Sequence, residues 1–299
     1  MFKQLYTFYR QCTIVHKMIL FNVLIFAFQS IIQLIFWAIH ARDAFQTAIQ
    51  YFYLPLNLEV FKWRPYSLIT YQFMHATDGI SHIFFNMLSL FVFAPLFTVF
   101  QSEKRILPLY LMSGIFAGLV AIASYSFLPI LAEQKQAQYL LGASASVMAI
   151  LVAATTFSPH FQVSILGVFT IKILYVTLFY VFVFLSSLPF ENHGGHISHL
   201  AGILFGFIYV KLYQKGYDLL GWLVRWIDSF VAWFDGITEP KTNLKVVHSK
   251  GDRDIENETY HYDAQEELNR ILDTINRSGF DSLTQKERDF LTSQSHDRK

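Results

Sequence analysis

Ser144 is the residue of this sequence that is best placed for chemistry. It stands in a run of small residues, Gly142–Ser146, where the polar stretch Glu133–Gln138 ends and an apolar run begins. This position predicts that Ser144 lies near the N-terminal end of a membrane-embedded helix. Helix N-termini leave backbone N–H groups unpaired and carry a partial positive charge, so they can stabilise an oxyanion that develops beside the hydroxyl. Alternatively, the small residues only let helices pack closely.

Histidine and asparagine side chains in other apolar segments supply partners for a serine. His82 and Asn86 are spaced i, i+4, so both project from one face of a predicted helix. His199 shares a helical stripe with Gly202 and Gly206. Glycines at this spacing let a neighbouring helix approach closely, as a hydrogen bond from His199 to a serine would require. The alternative is that these polar groups only form interhelical hydrogen bonds.

A serine hydroxyl becomes an effective nucleophile when a base, usually histidine, takes its proton. Serine hydrolases often add an acid that orients this base. The predicted membrane spans contain no Asp or Glu. A Ser/His pair in this membrane would therefore work as a dyad, and His82 and Asn86 are neutral donors suited to an oxyanion.

Neighbouring residues compete for these roles. Ser146 lies two residues after Ser144, about 200° around a helix, so we expect it to face away. His75 and His196 fit either polar packing or support of the neighbouring histidines. A metal site is conceivable on residue type, since histidine is a common ligand, but no carboxylate or cysteine lies nearby and we predict no metal. Its ligands would be His75, His82, His196 and His199.

Composition places these residues in a membrane protein. Of the 299 residues, 54% are hydrophobic and 15% charged, and the mean hydropathy is +0.36. Long apolar runs with few charges predict membrane helices of about 20 residues each. The single cysteine, Cys12, excludes an intrachain disulfide and a multi-cysteine metal cluster. The net charge of +1 gives no indication of nucleic-acid binding.

The hydropathy pattern predicts an all-α, polytopic fold with six transmembrane helices. The predicted spans are Met18–His40, Ser81–Phe100, Ile106–Leu128, Leu140–Phe157, Val163–Ser187 and His196–Tyr213. Lys172 indicates that the fifth helix begins nearer Ile173. The connection 41–80 is rich in Tyr, Phe and Trp, so we expect it to lie partly buried in the headgroup region.

The distribution of Lys and Arg predicts the orientation. The N-terminal segment 1–17, Lys104 and Arg105, Lys172, and the end of the sixth helix fall on one side if six helices alternate. That side should be cytoplasmic, with both termini inside. Ser144 then lies toward the outer face, and we expect a bacterial inner (plasma) membrane as the location.

Beyond the membrane domain (18–213), three further segments are predicted. Residues 214–237 carry aromatic side chains at helical spacing interrupted by charges, which favours a helix on the membrane surface over a seventh span. Residues 238–262 are polar and predict a flexible linker. Residues 263–299 predict a small cytoplasmic helical hairpin. Its signals are an apolar face at Leu268, Ile271, Leu272 and Ile275, a stop at Gly279 and a capping box over Thr284–Glu287.

Several separate motifs, in order over residues 60–213, resemble the rhomboid family of intramembrane serine proteases. They are Trp63-Arg64, Phe73-Met74-His75, the segment His82–Met87, Gly142-Ala143-Ser144, and His199–Gly202 with Gly206. The resemblance implies that Ser144 is the nucleophile and His199 the general base. It also implies that His82, Asn86 and the Ser144 backbone N–H line an oxyanion hole. The expected partners are transmembrane protein substrates and the lipid bilayer, without a cofactor; the oligomeric state is not indicated.

The sequence departs from the family pattern at four positions. Ala145 stands where the family usually has glycine, and Met148 where an aromatic residue usually stacks on the catalytic histidine. Methionine sulfur can still contact a ring. Thr98 and Ala94 replace a usual glutamate and glycine, and these changes affect packing more than chemistry.

Three hypotheses for function follow. The first is a membrane protease that cleaves transmembrane segments. The second is an inactive relative that binds membrane clients; its usual sign is loss of the serine or histidine, and both are present here. The third is a transporter or channel, which would show charged residues or inverted repeats at mid-membrane. Neither feature is found in the sequence.

Overall fold

A computed structural model of the chain describes residues 11–132, 138–165, 169–190, 192–238, 267–275 and 283–296. The chain divides into two compact units, Met1–Ile237 and Thr238–Lys299. The helices of the first unit are α1 (Ile14–Ala38), α2 (Arg42–Ile49), α3 (Leu58–Phe61), α4 (Ser67–Thr70), α5 (Ser81–Thr98), α6 (Ile106–Phe127), α7 (Pro129–Ala132), α8 (Ser144–Phe157), α9 (Ile173–Ser187), α10 (His193–Gln214) and α11 (Gly221–Thr238). Short 3₁₀ turns cover Tyr71–Phe73 and Glu103–Arg105.

Two antiparallel strand pairs accompany the helices and were missed by the all-α prediction. They are β1 (Leu54–Pro55) with β2 (Tyr139–Leu140), and β3 (Gln162–Ile165) with β4 (Phe169–Lys172). The structure is nevertheless mostly helical. Four helical stretches of the described residues are long and apolar enough to cross a membrane: Ile14–Ala38, Ser81–Thr98, Glu103–Phe127 and His193–Gln214. α8 and α9 are apolar but shorter.

Two helices start later than predicted. α8 begins at Ser144 rather than Leu140, because Tyr139–Leu140 pairs with β1 as an extended strand. The fifth apolar segment does not form a helix from Val163, because its first ten residues include the β3–β4 hairpin, where β-branched side chains favour strand. The start near Ile173, indicated by Lys172, is confirmed.

Two other helices start earlier than predicted because a polar residue caps each of them. α1 begins four residues before the expected start, and the Thr13 hydroxyl accepts a hydrogen bond from the His16 N–H at 3.5 Å. α10 begins three residues before the expected start, and the Asn192 side chain accepts a bond from the Gly195 N–H at 3.2 Å. Side-chain caps of this kind satisfy N–H groups that a helix leaves free in its first turn.

α8 is the central helix of the membrane domain. All its residues from Ala145 to Thr155 are buried, and it packs against α5, α6 and α10. With 14 residues it is about 21 Å long at 1.5 Å per residue. This is less than the hydrocarbon thickness of a bilayer, about 30 Å. The chain enters the N-terminal end of α8 through the non-helical segment 138–143.

The connection between α1 and α5 is partly buried, as the sequence predicts. Two tyrosines tie it to α6: the Tyr71 hydroxyl donates to the Gly114 carbonyl, and the Tyr110 hydroxyl donates to the Gln72 carbonyl, both at 2.7 Å. Trp63, in contrast, is 85% exposed. The part of the connection around Tyr71 and Gln72 is thus held against α6, while the part around Trp63 is exposed.

Ion pairs attach the turn before α11 and the middle of α11 to the connection between α5 and α6. The Arg105 guanidinium donates two hydrogen bonds of 2.7 Å to the Asp218 carboxylate and lies over the Tyr213 ring, 4.9 Å from its centre. This hydrogen bonding holds the pKa of Asp218 below its usual value. Lys104 pairs with Asp228 at 2.9 Å. α11 leaves four large aromatic side chains exposed, namely Trp222, Trp226, Phe230 and Trp233.

The second unit contains two described helices, α12 (267–275) and α13 (Gln285–His296). The predicted capping box is confirmed, because the Thr284 N–H donates to the Glu287 carboxylate at 2.9 Å and the Glu287 N–H donates to the Thr284 hydroxyl at 3.4 Å. Arg270 pairs with Glu287 at 3.0 Å and links the two helices. The predicted stop at Gly279 and residues 239–262 of the predicted linker lie outside the described residues.

Candidate active site

Ser144 and His199 come within hydrogen-bond distance of each other. Ser144 is the first residue of α8, and His199 lies in the second turn of α10. The His199 Nε2 is 2.5 Å from the Ser144 Oγ, and both side chains are partly buried. The structure therefore brings together the two residues that the sequence selects as base and nucleophile, although they are 55 positions apart.

Glycines make this approach possible. A Cβ atom at Gly202 would overlap the Ala145 carbonyl oxygen, and one at Gly206 would overlap the Ala149 carbonyl oxygen. Both pairs are spaced by four residues, so the backbones of α8 and α10 stay in contact over a full helical turn. Ser144 directly precedes Ala145, and His199 lies three residues before Gly202. The close contact between Ala145 and Gly202 therefore places His199 beside Ser144.

The backbone that precedes Ser144 runs against His82 and Asn86. Gly142 has a φ of +115°, which favours glycine, and its N–H donates to the Tyr71 carbonyl at 2.9 Å. A Cβ at Gly142 would lie 2.8 Å from the His82 Nε2 and 3.8 Å from the Asn86 Nδ2. The two side chains from α5 therefore border the same small region as the N-terminal end of α8.

The hydrogen bonds of His82 and Asn86 leave donors directed at this region. The Ala76 N–H donates to the His82 Nδ1 at 3.3 Å, so in the neutral imidazole the proton is on Nε2, the nitrogen beside Gly142. The Asn86 Nδ2 donates to the His82 carbonyl at 3.0 Å, which uses one of its two N–H groups. One N–H from each side chain can thus serve an anion at the start of α8.

Phe184 is a site residue that the sequence did not reveal. Its ring lies 4.3 Å from the His199 ring, centre to centre, at an angle of 44°, and its side chain is buried. Met148, at the position where the family has an aromatic residue, is buried as well. The signal was absent because α9 carries several phenylalanines, and their spacing does not distinguish the one that meets α10.

The side of His199 away from the serine has no acidic partner in the described part of the chain. Its Nδ1 is buried without a hydrogen bond there, and the His196 ring is 6.2 Å away at 77°. This is the arrangement expected of a dyad. Packing against Phe184, rather than a carboxylate, limits the orientation of the imidazole.

The competing residues lie elsewhere. Ser146 faces away from His199, and its hydroxyl donates to the Gln72 side chain at 3.3 Å. His75 is fully buried beside His82, with ring centres 5.2 Å apart, and its Nδ1–H donates to the Phe73 carbonyl at 3.3 Å. Burial lowers the pKa of His75 to about 4, so it is neutral near pH 7. Among the described residues, no three His, Cys, Asp or Glu side chains are grouped as metal ligands.

The Trp63-Arg64 motif shapes the connection between α1 and α5. The Arg64 guanidinium stacks on the Tyr51 ring at 3.9 Å from its centre, and the Arg64 carbonyl accepts a bond from the Ser67 hydroxyl. Such a cation–π contact fixes a basic side chain against an aromatic surface.

Comparison with known families agrees with this architecture. Residues 62–215, a little over half of the chain, match the family model of the Rhomboid domain. The fold is that of an integral membrane protein, and the chain belongs to the rhomboid family. Residues 257–297 match a family of unknown function, DUF6576. No curated protein matches the chain.

Proposed function

We propose that this protein is an intramembrane serine endopeptidase that cleaves transmembrane segments of other membrane proteins with a Ser144–His199 dyad. The observation that carries the proposal is the 2.5 Å contact between the His199 Nε2 and the Ser144 Oγ. Membership of the rhomboid family supports it. The position of Ser144 at a helix N-terminus, with unpaired N–H groups nearby, adds the electrostatic stabilisation that acyl transfer requires.

In the proposed reaction, the His199 Nε2 takes the Ser144 proton while the Oγ attacks the scissile carbonyl carbon. The carbonyl oxygen becomes an oxyanion, which accepts hydrogen bonds from the Ser144 N–H, the His82 Nε2–H and the Asn86 Nδ2–H. His199 then returns the proton to the leaving amine, and the acyl group stays on Ser144. A water molecule, deprotonated by His199, hydrolyses this ester and regenerates the serine. The reaction uses no cofactor.

The proposal includes the finer membrane topology. α8 and α9 would cross the membrane together with the four longer spans, giving six helices in residues 18–213, with both termini cytoplasmic in a bacterial inner membrane. The exposed aromatic face of α11 supports an interfacial position for residues 214–237. Residues 263–299 would form the cytoplasmic hairpin, joined by a linker over 238–262.

An inactive rhomboid that binds membrane clients is the second candidate. The departures at Ala145 and Met148 favour it. Against it stand the short contact between Ser144 and His199 and the placement of Phe184 on the histidine ring. Chemical reactivity of Ser144 distinguishes the two functions.

The test is labelling with a serine-directed fluorophosphonate probe in detergent. The unmodified protein should be labelled, because a histidine-activated hydroxyl attacks the phosphorus. Ser144→Ala should lose the label, and Ser146→Ala should keep it. Absence of labelling in a folded, unmodified protein, together with no cleavage of a model transmembrane substrate, would support the inactive relative.

Asn86→Ala should slow cleavage without abolishing it. Loss of one oxyanion donor typically costs about 2.7–4 kcal/mol, or roughly 10²–10³ in kcat. The donor acts in the transition state, so KM should change little. Thr98→Ala is the control on the same helix, since the Thr98 hydroxyl only donates to the Pro95 carbonyl within the last turn of α5. An unchanged kcat for Asn86→Ala would remove this residue from the site.

Phe184→Leu should lower kcat by about tenfold, because the imidazole loses the ring that limits its orientation and reactions are sensitive to such misplacement. Phe184→Tyr retains a ring and should restore most of the rate. Phe179→Leu is the control, as Phe179 is on the same helix and 62% exposed. If Phe184→Leu and Phe184→Tyr are equally slow, packing volume rather than ring contact is what matters.

Deletion of residues 240–299 should leave proteolysis in detergent intact. All groups proposed for chemistry lie before Tyr213, and the second unit is compact by itself. Its role is then regulation or partner binding, which purified enzyme with a model substrate does not report. Truncated protein that keeps its thermal stability but loses turnover would instead show that the second unit supports α10.

A further inference from the structure

A polar cavity lies apart from the dyad, at the end of α1. Its volume is about 660 Å³, within the range of roughly 300–1,000 Å³ typical of small-molecule sites. Residues from α1, from α2 and from the segment just before α5 line it, and six of the nine are polar or charged. Gln33 and Gln46 add amide groups to its wall.

One cation and one anion face this cavity. Arg42 opens α2, and Asp78 precedes α5. In the described part of the chain, neither is in an ion pair; the Arg42 guanidinium lies over the Trp37 ring at 5.8 Å. Because Arg42 and Asp78 line one cavity without pairing with each other, they suit a ligand that carries both a negative and a positive charge. Guanidinium binds phosphate well, and a carboxylate accepts hydrogen bonds from an ammonium group.

The apolar wall of the cavity indicates what else the ligand carries. Leu34 and Trp37 line the cavity and are 61% and 51% exposed. Along α1 this exposure continues on the same side of the helix through Ile31 and Val23, three and eleven residues before Leu34. A membrane helix exposes such a strip to lipid chains, and tryptophan is typical of the level of the headgroups. The cavity therefore joins a dipolar site at the membrane surface to an apolar track along the membrane.

We propose that this cavity binds a zwitterionic aminophospholipid, with its phosphate at Arg42, its ammonium group at Asp78 and its acyl chains along α1. The proposal does not depend on the proposed protease chemistry, although the Asp78 carboxylate also interacts electrostatically with His82. A water-soluble peptide segment could satisfy the two charges, but it would leave the apolar track uncovered, so the lipid fits the wall better.

The test is native mass spectrometry of the full chain in detergent with equal amounts of phosphatidylethanolamine and phosphatidylglycerol that have the same acyl chains. Both lipids offer a phosphate, and only the first offers an ammonium group. Hydrogen bonds to charged groups are the strong ones, so the unmodified protein should prefer phosphatidylethanolamine by about tenfold. Asp78→Asn should remove this preference without weakening phosphatidylglycerol binding. Arg42→Gln should weaken both lipids by about tenfold.

Glu59→Gln and Lys62→Gln are matched controls, since these two residues form an exposed 2.7 Å ion pair outside the cavity, and both variants should keep the preference. Arg42 and Asp78 are exposed, so their variants should fold, which thermal unfolding checks.

Equal binding of the two lipids by the unmodified protein, or a preference that survives Asp78→Asn, would overturn the proposal. Competition by phosphoethanolamine as strong as that of the whole lipid would contradict the acyl-chain track. Displacement of bound lipid by a soluble peptide carrying one lysine and one glutamate, at the same concentration, would identify a peptide site instead.

Discussion

Ser144→Ala is expected to abolish cleavage of a model transmembrane substrate, and His199→Ala should have the same effect. In the proposed dyad the two groups act as one unit, because the hydroxyl at 2.5 Å from the His199 Nε2 has no other base in hydrogen-bond reach in the described part of the chain. Removing either member of such a unit typically costs far more than a thousandfold in kcat. The loss should appear in single-turnover rates with enzyme in excess of substrate, while substrate binding is retained.

Ser146→Ala is the matched control for this experiment. It removes a hydroxyl from the same helix and the same small-residue run, but that hydroxyl is buried and donates to Gln72. Most of the activity should remain, with a small loss of stability from the missing hydrogen bond, about 1 kcal/mol. If Ser146→Ala is inactive and Ser144→Ala is active, the assignment of Ser144 as the nucleophile is wrong.

The proximity of Ser144 to His199 was predicted from two sequence signals, helix periodicity and the resemblance of the surrounding motifs to the rhomboid family. The i, i+3, i+7 spacing of His199, Gly202 and Gly206 defines a stripe, and small side chains on that stripe allow a close neighbour. The angular separation between Ser144 and Ser146 likewise follows from the helix alone. These inferences need only the local geometry of one regular element.

The contact of Phe184 with His199 could not be predicted in this way. It depends on how α9 is rotated against α10, and α9 has apolar residues on all sides, so no polar face fixes its rotation in the sequence. The role of Met148 could not be judged for the same reason. The sequence indicated that the Met148 sulfur could contact the histidine in place of an aromatic residue, whereas a ring from another helix lies against that imidazole.

The predicted starts of α8 and α9 were inaccurate because strand pairing decides them, and hydropathy does not reveal strand pairing. Leu140 is as apolar as the helix that follows it, yet it pairs with Leu54, more than 80 residues earlier in the chain. The β3–β4 hairpin is apolar too, so the fifth segment looks continuous by hydropathy. In both cases strand pairing in the segment just before the helix decides where the helix begins.

Gly202→Ala is expected to cause both a loss of activity and a loss of stability. The added methyl group would overlap the Ala145 carbonyl oxygen, which belongs to the backbone of α8 and cannot rotate away. α10 must therefore move away from α8, and the 2.5 Å distance between Ser144 and His199 must increase. A displacement of about 1 Å can lower a rate by roughly 10²-fold, and overpacking typically costs about 1–3 kcal/mol.

The measurements for Gly202→Ala are kcat with a transmembrane substrate and the thermal unfolding midpoint, both in the same detergent. Gly79→Ala is the control, because a Cβ there meets no atom within 4 Å and should leave both quantities unchanged. A pure stability defect would lower the unfolding midpoint but leave kcat intact well below that temperature. The geometry instead requires kcat to fall even where Gly202→Ala is fully folded, since Gly202 holds the helix that carries the base at its distance from the nucleophile. Wild-type kcat in folded Gly202→Ala would mean that turnover tolerates a wider separation of α8 and α10.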